Sequence, residues 1–145
     1  MHGQKCSDVM TKDLVCCTPT DTVHLAAQSM KAQDVGSMPV IDSQEKKRLV
    51  GIVTDRDLAL KVVAAGLDPG ETKVEEVMSR KLVVCKVDDD WQMALDAMGE
   101  HQIRRIPVVD GQGRIAGIIA QADVATRIEK PAATAKVVEE ISRVA

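Results

Sequence analysis

Aromatic side chains are nearly missing from this chain, which has one Trp and no Phe or Tyr in 145 residues. Proteins that hold single-stranded nucleic acid stack bases on aromatic platforms, and those platforms are lacking. An excess of positive charge is also absent. Lys and Arg number 19 against 22 Asp and Glu, a net charge of −3 with His neutral. Gripping a phosphodiester backbone takes clustered Lys and Arg, so nucleic acid is not an expected partner. Long apolar runs are missing too. The longest, 62–67 and 115–120, are six residues each with a glycine included, where a membrane helix needs about 20. The N-terminus has no apolar stretch of the kind a secretory signal requires. The expected location is therefore cytoplasmic, where thiols stay reduced. Cys6, Cys16, Cys17 and Cys85 show no CxxC spacing, so they read as buried small hydrophobes or as redox sensors rather than metal ligands.

Apolar residues make up 45% and charged residues 28%, as in a folded globular domain. The core has to be built from Val, Ile, Leu, Met and Ala.

The chain repeats itself. Shifted by 68, residues 9–42 match 77–110 at 11 of 34 positions, among them Val9-Met10 on Val77-Met78, Cys17 on Cys85 and Pro39-Val40 on Pro107-Val108. Two residues then drop out of a loop. At a shift of 66, Gly51-Ile52 falls on Gly117-Ile118 and Asp57 on Asp123. A constant register broken by one loop gap marks two copies of one unit. The expected organisation is a first repeat at 5–66, a linker at 67–73, a second repeat at 74–130 and a helical tail at 131–145 with Val137, Ile141 and Val144 on one side.

Each copy reads alike. A short opening helix ends near Val9-Met10 or Val77-Met78, and a strand follows at 14–17 or 82–85. A helix then starts after Asp21-Thr22 or Asp89-Asp90, where acids and hydroxyls cap free amides. Its expected buried face is Val23, Ala26, Ala27 and Met30, or Trp91, Ala94, Leu95 and Met98. Two aliphatic strands follow at 38–41 and 49–53, mirrored at 106–109 and 115–119. A closing helix runs from Asp55 to about Ala65, with its counterpart from Gln121 to about Lys130. The pattern is βαββα, twice. A unit this small cannot cover both faces of its sheet alone. The expected fold class is α/β in the broad α+β sense. It comprises two pseudo-twofold related units packed through their sheets, with matching clefts at the seam, plus a C-terminal helix.

The sharpest local signal is Gly51-Ile52-Val53-Thr54-Asp55-Arg56-Asp57, where a buried strand enters a helix. Thr54 and Asp57 have the spacing of a capping box. The second copy reads Gly117-Ile118-Ile119-Ala120-Gln121-Ala122-Asp123. Its Ala120 breaks the box while Gly and Asp stay in place. A carboxylate there can accept both hydrogen bonds of a ribose diol, and the glycine would let a ligand approach the backbone. The capping and ligand readings both stand on these residues alone.

The duplicated unit, the Gly-aliphatic-aliphatic-Thr-x-x-Asp corner and the Met-Pro-Val and Ile-Pro-Val strands together resemble a CBS-domain pair, the module named for the regulatory domain of cystathionine beta-synthase. The resemblance spans residues 5–130, and the chain is similar to small stand-alone bacterial members. It implies a non-catalytic regulatory module that binds AMP, ADP, ATP, NAD(H) or S-adenosylmethionine, and that forms a homodimer. It also implies two sites. In one, Asp57 holds the ribose, Thr54 a phosphate oxygen and Ile52 lines the base, with Val83 and Ile103-Arg104 opposite. In the other, Asp123 holds the ribose beside Ile118, with Val15 and Val35-Gly36 opposite. Arg104 and Arg105 match a segment that supplies phosphate contacts, for which guanidinium forks are suited. Gly36-Ser37 replaces that Arg pair in the first copy, and Ala120 removes the hydroxyl of the second corner, so unequal sites are expected. The alternative is an interaction module with empty clefts that regulates a partner through its surfaces or its thiols. No nucleophile–base pair or cluster of metal ligands is evident in the sequence.

Overall fold

Two aliphatic runs, each entered through a proline, set up the sheets. The computed structural model describes residues 4–122 and 124. Strand β1 (Ser37–Ile41) pairs antiparallel with β2 (Leu49–Thr54), with a bulge between Val40 and Ile41. In the second copy β4 (Arg105–Val109) pairs antiparallel with β5 (Ile115–Ala120), with the same bulge between Val108 and Val109. These strands lie where the aliphatic runs place them, extended by one residue at an end. A two-residue strand β3 (Cys85–Lys86) runs parallel to β4. In the first copy the same place holds a single parallel bridge between Cys17 and Val40.

The expected four-residue strands at 14–17 and 82–85 therefore shrink to one or two residues, and the prolines explain why. Cys17 N–H donates to Pro39 O at 3.1 Å, and Ile41 N–H donates to Cys17 O at 2.9 Å. Continuing that parallel ladder backward would need the residue 15 carbonyl to accept from the nitrogen of residue 39, which as proline has no hydrogen. Pro107 imposes the same stop on residue 83.

Ahead of each hairpin lies an 11-residue helix. In α2 (Val23–Gln33) the Thr22 hydroxyl accepts from Leu25 N–H at 3.2 Å. In α4 (Trp91–His101) the Asp90 carboxylate accepts from Gln92 N–H at 2.9 Å. Both helices end in a left-handed residue, Asp34 at φ 54° and Gln102 at φ 56°. The expected inner face of α4 is buried at all four positions, Trp91, Ala94, Leu95 and Met98. On α2 Val23, Ala26 and Met30 are buried but Ala27 is exposed. Its equivalent is Leu95, whose longer side chain reaches the core where an alanine methyl does not.

After β2 comes the one-turn helix α3 (Asp55–Leu58), which widens into a π-helical turn at Ala59–Val63. Ala64 N–H reaches back five residues to Ala59 O at 2.9 Å. The chain leaves this turn at Gly66, φ 72°. The expected closing helix thus forms, with a changed pitch. In the second copy Gln121 and Ala122 are helical. The rest of that helix and the tail at 131–145 lie outside the described residues.

The chain divides into two compact units, one contiguous (Val15–Leu82) and one split, assembled from Met1–Leu14 and Val83–Ala145. In the contiguous unit a 3₁₀ turn at Val74–Glu76 packs beside the start of α2. There Val23 N–H donates to Thr72 O, Val74 N–H to Asp21 O and Glu75 N–H to Pro19 O, at 2.8, 2.8 and 3.0 Å. In the split unit the short helix α1 (Cys6–Val9) repeats that set at equivalent positions. Trp91 N–H donates to Gln4 O, Cys6 N–H to Asp89 O and Ser7 N–H to Val87 O, at 2.9, 2.8 and 3.1 Å. The opening segment that precedes the first repeat in sequence completes the core around the second, and the segment that precedes the second completes the core around the first. Each unit has its own core: Cys17, Val23, Met30, Met38, Val40 and Val53 in the contiguous one, and Cys6, Cys85, Trp91, Leu95, Met98 and Ile106 in the split one.

Candidate functional site

The strand-to-helix corner of the contiguous unit is a complete capping box. Thr54 Oγ1 accepts from Asp57 N–H at 3.0 Å, and Asp57 Oδ2 accepts from Thr54 N–H at 2.9 Å. The other carboxylate oxygen, Oδ1, pairs with Lys61 Nζ at 3.0 Å. That ammonium also donates to Val77 O at 2.9 Å. The Asp57 side chain is 15% exposed and the Lys61 side chain 49%. Asp57 is therefore aimed by the main chain on one oxygen, and on the other it meets a half-exposed cation. Nothing in the repeat pattern singled out Lys61, because its partner Val77 O joins the corner only through the fold.

The glycine of this corner does something other than expected. A methyl at Gly51 would sit 2.6 Å from Met78 Sδ and 3.0 Å from Ser79 O. That space is filled by protein. Ile52 and Ser79 exchange both main-chain hydrogen bonds, at 2.9 and 2.8 Å. Gly117 repeats this in the split unit, where a methyl would sit 2.6 Å from Met10 Sδ and 2.9 Å from Thr11 O. Thr11 and Ile118 exchange the equivalent bonds at 2.8 and 3.0 Å. Both glycines admit a neighbouring chain segment, not a ligand. The Val-Met dipeptides matched at 9–10 and 77–78 were the sequence signal for that segment.

Val35 and Gly36 lie beside the first corner, since Asp55 N–H donates to Gly36 O at 2.8 Å. Ile103 and Arg104 hold the matching place in the split unit, where Gln121 N–H donates to Arg104 O at 2.8 Å. Within each unit, then, the structure joins Val35-Gly36 to the corner of Thr54 and Asp57, and Ile103-Arg104 to the end of β5. The family resemblance sets each of these segments opposite the corner of the other copy. Ile52 is half-buried and Val15 is 41% exposed in the contiguous unit. In the split unit Val83, Ile103 and Arg105 are half-buried, Arg104 is exposed and Ile118 is buried. Asp123 lies outside the described residues.

All four cysteines are free thiols. Burial pushes Cys17 up to about 12, with the Asp21 carboxylate adding to the effect, and burial also raises Cys16. The neighbouring thiols Cys6 and Cys85 shift each other: Cys85 lowers Cys6, and Cys6 together with burial raises Cys85. Among the described residues no group of three His, Cys, Asp or Glu side chains is placed to hold a metal ion, and no helix is long and apolar enough to cross a membrane.

Comparison with known proteins fixes the family. Residues 6–64 and 74–130 each match the CBS domain, and the chain belongs to that family as a tandem pair. A CBS domain-containing protein of Bacillus subtilis, YhcV, is 42% identical over 118 residues, covering 81% of each chain. Hypoxic response protein 1 of Mycobacterium tuberculosis is 34% identical over 125 residues, covering 86% of this chain and 85% of its own. Its crystal structure, solved with two coordinated zinc ions, superimposes with a TM-score of 0.77 over 86% of this chain and 99% of that one. The cytosolic domain of the Mg²⁺ channel MgtE, solved in complex with ATP, is 30% identical with a TM-score of 0.70, over 84% of this chain and 48% of that one.

Proposed function

We propose that this chain is a regulatory module without a reaction of its own, which binds an adenosyl ligand (AMP, ADP, ATP, NAD(H) or S-adenosylmethionine) at the corner built from Ile52, Thr54 and Asp57. The observation that carries this reading is the state of the Asp57 carboxylate. One oxygen is fixed by Thr54 N–H, and the other, among the described residues, is held by the half-exposed Lys61 ammonium. An ion pair with an exposed partner is worth little, so a ribose diol can take the place of Lys61. The released ammonium is then free to meet phosphate oxygens. The ATP complex of the MgtE domain supports the ligand class.

Arg104 and Arg105 are the proposed phosphate contacts of the second corner, with Asp123 on the ribose and Ile118, Val83 and Ile103 as its apolar surroundings. Val15, Val35 and Gly36 serve the first. Ala120 offers no hydroxyl to a phosphate, so the second corner binds more weakly or prefers an uncharged nucleoside end. Regulation follows by population shift. The ligand favours one conformation or one homodimer arrangement by its difference in affinity between states.

A second reading is favoured by the completeness of the capping box. Thr54 and Asp57 then serve the helix alone, and the chain is an interaction module. Melting curves with AMP, ADP, ATP, NAD, NADH and S-adenosylmethionine separate the two. Ligand at 100 times its dissociation constant adds about 2.7 kcal/mol, a rise of several degrees for a chain of this size. The proposal expects such a rise with at least one compound, abolished in Asp57→Ala. No rise with any compound leaves the interaction reading.

A further inference from the structure

The split unit holds two thiols that the adenosyl reading does not use. Cys6, in α1, is 0% exposed, and Cys85, in β3, is 4% exposed. Both belong to one core, with Trp91 and Leu95. The backbone brings them together, because Cys6 N–H is bonded to Asp89 O and Ser7 N–H to Val87 O, which seats the start of α1 against the segment that leaves β3. Cys85 S–H donates to Pro107 O and Cys6 S–H donates to Asp90 O, both at 3.8 Å, and the two thiols are near enough that each shifts the ionisation of the other.

The repeat supplies an internal control. Shifted by 68, Cys6 falls on Val74 and Cys17 on Cys85. In the contiguous unit Val74 is buried at 0% in the same core as Cys17. A valine fills that place in one unit, so packing does not demand sulfur in the other. The strand cysteine is common to both copies. The second cysteine, the one that makes a pair, is found in the split unit alone.

We propose that Cys6 and Cys85 are a redox pair that closes to an intramolecular disulfide when the protein meets a peroxide, fastening residues 4–14 covalently to the unit they complete. Cys6 is the attacking sulfur, since the adjacent Cys85 thiol favours its thiolate. A four-residue helix is marginal on its own, and local opening of such an element admits the oxidant. The Cys6 thiolate attacks the O–O bond. An S–O bond forms, hydroxide leaves, and Cys6 becomes a sulfenic acid. Cys85 sulfur then attacks Cys6 sulfur. The S–S bond forms, the S–O bond breaks, and water leaves with the proton from Cys85. In total two thiols lose two electrons and two protons, and one peroxide becomes two waters. The sulfurs close from contact to about 2.05 Å. The bond anchors α1, and with it Met10 over Gly117 and the Thr11–Ile118 pair next to the second corner. Thiol reductants reverse it.

The test uses the full chain with hydrogen peroxide, followed by unfolding and alkylation. The oxidised protein takes up two fewer labels than the reduced one, and dithiothreitol restores them. Trypsin releases peptide 6–12 joined to peptide 82–86. Cys6→Val, which copies Val74, keeps the buried emission of Trp91 and forms no cross-link, with its remaining three thiols still open to alkylation. A cross-link mapped to other cysteines, sulfinic acid at Cys6 with no cross-link, or unchanged labelling would each overturn the proposal. So would an unfolded Cys6→Val, because the internal control would then have failed.

Discussion

Replacing Gly51 with alanine tests what the glycine of the Gly-x-x-Thr-x-x-Asp corner is for. The added methyl would stand 2.6 Å from Met78 Sδ, 3.1 Å from Met78 Cγ and 3.0 Å from Ser79 O, where ordinary carbon contacts begin near 3.5 Å. The methionine can swing aside. The Ser79 carbonyl cannot, because it accepts from Ile52 N–H in the pair that edges the sheet. Overpacking of this kind costs about 1–3 kcal/mol. At about 3 °C per kcal/mol for a chain of this length, the melting temperature falls by roughly 3–10 °C. Gly117→Ala should fall further, since Met10 Cγ at 2.7 Å and Thr11 O at 2.9 Å are closer still. Gly111→Ala is the control. Among the described residues no atom lies within 4 Å of the new methyl, and this variant should hold or gain stability through the unfolded state. Combining Met78→Ala with Gly51→Ala should recover part of the loss, giving a coupling of about 0.5 kcal/mol or more between contacting residues. Far-UV circular dichroism melts with and without ATP supply the data. If Gly51→Ala melts with the wild type and loses only its response to nucleotide, the glycine serves the ligand and the packing argument is wrong.

Thr54→Ala removes the acceptor of Asp57 N–H and should cost about 1 kcal/mol, read in the same melts. It copies the Ala120 of the second repeat, and full stability would show that the cap carries no weight. Cys17 has its folded pKa raised to about 12. Its stabilising effect is whole below the unfolded value near 9 and is lost as pH rises from 9 towards 12, because the unfolded thiol ionises first. Between pH 8 and pH 10, urea titrations should show Cys17→Val removing about 1.4 kcal/mol of that decline in total, and an equal decline in the two proteins would contradict it. Asp110 is shifted the opposite way, held low chiefly by the Arg114 and Gln112 main-chain N–H groups. Its contribution is present at neutral pH and fades as acid protonates it. The advantage of wild type over Asp110→Asn should therefore shrink on going from pH 7 to pH 3, and a constant gap would sink the assignment.

The parts of the fold that were legible in the sequence are those fixed by near neighbours. Aliphatic runs around Pro39 and Pro107 place the hairpins to within a residue. Thr22 and Asp90 mark where the long helices start, and the doubled register announces two units. The same prolines hide a limit that no pattern of side chains displays. They remove the donor a longer parallel strand would need, so 14–17 yields a bridge and 82–85 a two-residue strand. Ala27 followed the helical period but lacks the reach of Leu95. Local signals of this kind decide element type, and main-chain donors and side-chain length decide extent.

Long-range partnership was the less legible part, and the corner shows why. Thr54 and Asp57 could be paired on paper because they are three residues apart. Lys61 could not be tied to Val77, nor Gly51 to Met78, because those contacts depend on which opening segment each unit receives. The repeat alone is indifferent on that point: Val9-Met10 and Val77-Met78 are the same dipeptide, and either could complete either sheet. Connectivity breaks the tie. Residues 72–79 follow the first hairpin along the chain and close the contiguous unit, which leaves residues 4–14 to close the split one. One consequence is that Met10 over Gly117 and Met78 over Gly51 are equivalent contacts made at very different chain separations. A second is that Cys6 meets Cys85, although no Cys spacing in the sequence advertises the pair. The chemistry that distinguishes the two units, a thiol pair in one and an intact capping box in the other, thus arises from a duplicated sequence through the places where the copies have diverged: Cys6 against Val74, and Thr54 against Ala120.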